Sequence, residues 1–172
     1  QSQGNNLEHD ENLGWYNSLV QVDSNTIALA YAGLANDGYI STFTISSSGV
    51  ITAVKTQSEG NNLEHDGSNG THNSLLQIDS NTYALAYSGH RADGYVTTFT
   101  ISSDGSSITE VAGSILEHDE NKGEYNSLVH VDSDTYALAY SGHDDDGYIS
   151  TFTISSSGVI TAVKTQSGGN NL

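Results

Sequence analysis

The sequence predicts an all-β chain built from three copies of one four-stranded antiparallel unit. Three observations predict it. Leu-Glu-His-Asp begins at Leu7, Leu63 and Leu116, spacings of 56 and 53 residues. Asn-Ser-Leu follows ten residues after each of those leucines (Asn17, Asn73, Asn126), and Asp-Gly-Tyr follows thirty residues after (Asp37, Asp93, Asp146). Between these markers apolar residues alternate with a period of 2, the pattern of half-buried strands, and no segment shows a capped helical period. A fixed period marks an array whose single copies cannot bury their apolar faces alone. The repeats run over approximately 7–62, 63–115 and 116–172.

The third copy shows each element in order. The first strand is read at 126–132, Asn-Ser-Leu-Val-His-Val-Asp. The second is read at 135–140, Thr-Tyr-Ala-Leu-Ala-Tyr, with Tyr136, Leu138 and Tyr140 on one face and Ala137 and Ala139 on the other. Small residues alternating with large ones suit a sheet pressed closely on a neighbouring layer. The third strand, 147–154, is rich in β-branched and aromatic residues, and the fourth covers 159–164. Ser48-Gly49, Asp104-Gly105 and Ser157-Gly158 supply tight turns between the last two strands.

The succession Tyr-Ala-Leu-Ala-Tyr-Ser-Gly, Asp-Gly-Tyr-Ile-Ser-Thr-Phe-Thr-Ile and Ser-Ser-Gly resembles the blades of β-propellers in bacterial and archaeal secreted and surface proteins. The resemblance covers nearly the whole chain and concerns architecture. It implies three propeller-like blades. A β-trefoil is the alternative, since it also has three four-stranded repeats in one chain.

Composition excludes two classes of partner. Four Lys+Arg against 21 Asp+Glu give a formal charge of −17, which repels nucleic acid and anionic membrane surfaces. No apolar run approaches the length of a membrane span, so no membrane insertion is expected. Cysteine is absent, so no disulfide framework exists. Methionine is absent too and the chain begins at Gln1, from which a removed leader or a longer parent chain, and an extracellular or cell-surface location, are expected.

Propellers close with about four to eight blades, so three leave a face open at each end. Two chains would make a six-bladed ring with two-fold symmetry, whereas a rotation that fails to close would give a head-to-tail filament. Residues 1–7 nearly duplicate residues 166–172, which also fits an excerpt from a longer array. The expected partner is therefore a second copy of the chain.

Glu-His-Asp recurs at Glu8-His9-Asp10, Glu64-His65-Asp66 and Glu117-His118-Asp119. His and carboxylates are metal and acid–base residues, and a ring would place them symmetrically. Adjacent residues alternate faces on a strand, however, so a packing role is expected, with the acidic surface promoting protonation of His9, His65 and His118. Asp37, Asp93 and Asp146 end a divergent loop suited to a rim site. Asp144, Asp145 and Asp146, before Gly147, approximate a calcium loop and are candidate ligands for Ca2+. Trp15 and Tyr16 offer an aromatic platform for glycans. Their equivalents are Thr71-His72 and Glu124-Tyr125, so the pair is not kept across copies. No Gly-x-Ser-x-Gly elbow is present, and no carboxylate pair is marked by its setting. The reading from sequence is a secreted, non-enzymatic structural or adhesive module that completes itself by self-association, with a multivalent carbohydrate-binding module as the alternative and no enzyme.

Overall fold

Period-2 runs interrupted by Gly, Asn and Asp turns produce three antiparallel sheets in the computed structural model, which describes residues 7–53 and 62–162. The first sheet contains β1 (Trp15–Gln21), β2 (Thr26–Ala32), β3 (Gly38–Ile45), β4 (Ile51–Ala53) and β5 (Asn62–Asp66). The second contains β6 (Thr71–Gln77), β7 (Thr82–Ser88), β8 (Gly94–Ile101) and β9 (Ile108–Asp119). The third contains β10 (Glu124–Asp132), β11 (Thr135–Ser141), β12 (Gly147–Ile154) and β13 (Ile160–Ala162). The described helical residues form single 3-10 turns at Leu34–Asn36, His90–Ala92 and His143–Asp145. No described helix is long and apolar enough to cross a membrane.

Each sheet is a meander whose register follows from its turns. Gly49, Gly105 and Gly158 take φ of 82°, 70° and 84° between the third and fourth strands, the left-handed region that favours glycine. The sheet boundaries are offset from the sequence period. Leu-Glu-His-Asp ends the outer edge of the preceding sheet, with Leu63 opposite Ile40 and Leu116 opposite Val96.

The sheets stack like blades around an axis. The first strands β1, β6 and β10 approach one another far more closely than the outer strands do, so they are innermost. Ser18 Oγ accepts the Leu75 N–H at 2.9 Å, and Ser74 Oγ accepts the Leu128 N–H at 3.0 Å. Thr42 donates to the Gly105 carbonyl and Thr98 to that of Gly158, both at 2.7 Å. This stacking of separate sheets is the propeller arrangement and sets the trefoil aside.

Among the described residues, the two largest core clusters lie between blades, and a smaller one of Leu29, Tyr31 and Phe43 lies on the first sheet. Ala28, Ala30 and Ile40 of the first sheet pack with Leu75, Tyr83, Leu85 and Phe99 of the second. Ala84, Ala86 and Val96 repeat the arrangement against Leu128, Tyr136, Leu138 and Phe152. The alternation in Tyr-Ala-Leu-Ala-Tyr thus gives the second blade a small-residue face toward the third and a large-residue face toward the first. Each fully buried large side chain contributes about 2 kcal/mol by removal from water. Ala86→Leu should therefore overpack the second junction and cost about 1–3 kcal/mol. Thermal denaturation followed by circular dichroism should show the midpoint lowered by several degrees.

Candidate functional site

The register gathers every candidate side chain at one end of the stack. Trp15 pairs with Ala32, Ala32 with Gly38, and Gly38 with Asp66, so the starts of β1 and β3 and the ends of β2 and β5 share an edge. Thr71, Ser88, Gly94 and Asp119 repeat that line in the second sheet.

Glu-His-Asp separates there into three roles. The His9, His65 and His118 rings meet Tyr31, Tyr87 and Tyr140 edge-on at 4.7, 4.7 and 4.5 Å. Any Cβ on Gly38 or Gly94 would overlap the His65 or His118 ring, so glycine is required for the close approach. Asp10, Asp66 and Asp119 each accept two backbone N–H bonds, at 2.8–3.0 Å, from the residues two and three positions on. They hold the turn into the next sheet. Glu117 faces outward, 3.5 Å from the Tyr95 hydroxyl.

Acidity of the surface does not govern His65 and His118. Desolvation pushes His65 and His118 down to about 4, against the upward pull of Asp66 and Asp119. The expected promotion of their protonation is corrected: burial between blades outweighs one adjacent carboxylate. Both nitrogens of each ring lack a hydrogen-bond partner among the described residues.

The β2–β3 loop and its equivalents are built from backbone bonds. The carbonyls of Asp37, Asp93 and Asp146 accept N–H bonds from Gly33, Gly89 and Gly142 at 2.9, 2.8 and 2.9 Å. Asn36 and Ala92 carbonyls reach forward to the N–H groups of Gly70 and Gly123 in the next blade. In the third loop, Asp144 pairs with His143 at 3.0 Å, and Asp145 pairs with Lys122. Lys122 also holds Glu124 at 3.3 Å. Among the described residues no three His, Cys, Asp or Glu side chains converge as metal ligands.

The structure assembles a feature that the copies compared one by one conceal. Trp15 and Tyr16 lie within β1 at a bulge, and His72 and Tyr125 occupy the same bulge in β6 and β10. Tyr16, His72 and Tyr125 take φ of 55°, 53° and 54°. A left-handed conformation is costly for such side chains and clusters at functional sites. Asn17, Asn73 and Asn126 brace each bulge by donating to the carbonyls of Gly14, Gly70 and Gly123 at 2.8, 2.9 and 2.8 Å. The three rings then form a row across the axial mouth, with centroids 4.2 Å apart from Tyr16 to His72 and 4.4 Å from His72 to Tyr125. Trp15 extends it, 6.4 Å from Tyr16. Trp15 and Tyr125 are 57% and 70% exposed, so the row presents open ring surface. Burial lowers the pKa of His72, opposed by Glu124 and aided by Lys122, which places both charges beside the row. A recess of about 410 Å³ on the outer part of the first sheet is lined by His9, Tyr31, Ser41, Phe43 and Asn62, with Tyr31 and Phe43 buried in its wall.

The buried histidines generate a pH dependence. In the unfolded chain they titrate near 6.5, whereas in the folded chain they titrate near 4. Acid therefore protonates the unfolded chain first, so stability is complete above about pH 6.5 and is lost as pH falls toward 4. At about 1.4 kcal/mol per unit, each histidine accounts for on the order of 3 kcal/mol. Melting temperature measured from pH 7.5 to 4 should fall below pH 6.5, and His118→Phe should remove about half of the histidine-dependent fall.

No family model matches the chain, and no curated protein matches it. Solved structures similar in fold include two carbohydrate-active enzymes. An α-L-arabinofuranosidase from Clostridium thermocellum aligns with a TM-score of 0.53 and 14% identity over 90% of this chain and 51% of its own. An endo-1,4-beta-xylanase from Bacteroides thetaiotaomicron aligns with a TM-score of 0.58 and 16% identity over 92% of this chain and 61% of its own. The chain thus spans between about half and three fifths of those structures, and at these identities the likeness is one of fold. It corrects two readings from the sequence, that the chain is a non-enzymatic structural or adhesive module and that it is no enzyme. The propeller architecture it shares is one on which carbohydrate-cleaving enzymes are built, and the carbohydrate-binding alternative agrees with it better.

Proposed function

We propose that the chain recognises carbohydrate at the axial mouth, with Trp15, Tyr16, His72 and Tyr125 as the stacking surface. The observation that carries this is the ring row itself. Four rings from three blades, three of them on braced left-handed backbone, form one composite platform rather than three identical sites. Sugar rings present C–H faces that stack on aromatics and hydroxyls that need polar partners. Glu124, Lys122 and a neutral His72 supply those partners at the edge of the row. The arabinofuranosidase and xylanase likenesses favour pentose-containing polysaccharide as the ligand class. Such a ligand is met outside the cell, in keeping with the resemblance to blades of bacterial and archaeal surface proteins.

Hydrolysis at the same mouth is the second reading, favoured by the activities named for those two structures. It requires two carboxyl groups flanking a glycosidic bond. Glu124 acts on His72 of the row, and Glu124 and Asp145 both engage Lys122.

Trp15 is the single tryptophan of the chain, so its emission reports on this site alone. Titration with xylo- and arabino-oligosaccharides should give a saturable fluorescence change. Tyr125→Ala should weaken binding at least about tenfold, equivalent to about 1.4 kcal/mol, without altering the far-ultraviolet spectrum. Unchanged emission together with no heat of binding would refute carbohydrate recognition. Release of reducing ends from the same sugars would establish the hydrolytic reading.

A further inference from the structure

The two outer faces of the blade stack are the two halves of one junction. We infer that a second copy of this chain docks its first blade on the third blade of the first copy, and the reverse, giving a closed six-bladed ring. The inference extends the junction already formed twice within the chain, and it stands apart from the carbohydrate reading.

Several equivalent residues become exposed where a neighbouring blade is missing, although Leu29, Tyr31 and Phe43 of the first blade stay buried. Leu75 and Leu128 are 6% and 8% exposed against the preceding blade, whereas Leu19, at the same position in the first blade, is 62% exposed. On the opposite face, Ile40 and Val96 are fully buried and Ile149 is 77% exposed. Val22 packs into the same cluster as Tyr83 and Ile101 of the next blade. Its third-blade equivalent, Val131, is exposed. The first blade offers the complementary space, a recess of about 510 Å³ beside Ile27 and Ile45, the equivalents of Tyr83 and Ile101.

The polar groups match in the same way. Ser18 and Ser74 accept N–H bonds from the next blade, and among the described residues Ser127 accepts none. Its partner on a second copy is the Leu19 N–H. The Asn36 and Ala92 carbonyls bond to Gly70 and Gly123, so the Asp145 carbonyl takes the Gly14 N–H of the other copy. Thr42 and Thr98 bond to turn carbonyls, so Thr151 takes that of Gly49. The histidine wedge gives an independent check. Gly38 and Gly94 are closed by His65 and His118, whereas a Cβ on Gly147 would meet nothing within 4 Å. That cradle fits His9 of the second copy. The same docking sets Tyr16 of one copy beside Tyr125 of the other and continues the aromatic row around the mouth.

Two copies supply six blades, within the range of about four to eight in which propellers close. Both junctions form together under one two-fold axis, so neither outer face is left over. Each copy carries a formal charge of −17, so repulsion opposes assembly until salt screens it.

Light scattering after size exclusion, from micromolar to millimolar chain in about 0.3 M salt, tests the ring. The expected particle has twice the 18.2 kDa chain mass. Leu19→Asp and Ile149→Asp alter residues exposed in the single chain, so each should restore the single-chain mass with an unchanged melting profile at low concentration. A single-chain mass at every concentration would overturn the ring, as would a doubled mass that survives both variants. Long, polydisperse particles would overturn closure by two copies. A saturable Trp15 titration on a chain that never dimerises would leave the carbohydrate reading standing while this one falls.

Discussion

The two largest core clusters join one sheet to the next, so the Ala-against-Tyr/Leu contact between blades is the constraint on which the rest depends. Ala84 and Ala86 are fully buried because Leu138 and Tyr140 stand over them, and those residues have no other apolar layer to meet. Close approach at one face fixes the spacing of everything else at the junction. Ser74 can reach the Leu128 N–H, and Thr98 the Gly158 carbonyl, only because two alanines separate the sheets. His118 fits at the rim of the same contact because Gly94 and Gly123 lack side chains. The residues repeated most faithfully along the chain are therefore those that join blade to blade.

The junction leaves other positions free. Tyr16, His72 and Tyr125 sit just before the Asn-Ser-Leu segments that do the packing, and their backbones are held by asparagine rather than by their own rings. Their side chains can differ without disturbing a blade contact. A surface that differs from copy to copy at three equivalent points is asymmetric even on a symmetric scaffold. Asymmetry is what an extended ligand with distinct ends requires.

Much of the architecture was legible before any coordinates. Alternation in Thr135–Tyr140 gave the two faces of β11, and Asp104-Gly105 gave the turn between β8 and β9. The site was legible only in part. Trp15 and Tyr16 stand out in the sequence, whereas His72 and Tyr125 differ from them in identity and join them in the fold by adjacency. That adjacency depends on knowing that β1, β6 and β10 meet at the axis, which no local pattern encodes. The Lys122–Asp145 pair spans 23 residues and was invisible for the same reason. The histidines misled in the opposite sense: flanking acids suggested an easily protonated group, while the Gly38 and Gly94 cradles that desolvate it lie a strand away.

The acidity that disfavours nucleic acid would also narrow the ligand of the proposed mouth. A surface with 21 acidic and four basic residues raises the cost of any anionic polymer approaching the mouth, and Lys122 is already committed to Glu124 and Asp145. A neutral polysaccharide meets no such barrier, and carboxylates are strong acceptors for its hydroxyls. Stacking on Trp15, Tyr16 and Tyr125 is insensitive to ionic strength, whereas recognition of a uronate-bearing chain would have to overcome the field of the whole molecule. Under the proposed carbohydrate reading, the charge balance and the ring row therefore favour the same ligand class, an uncharged glycan chain.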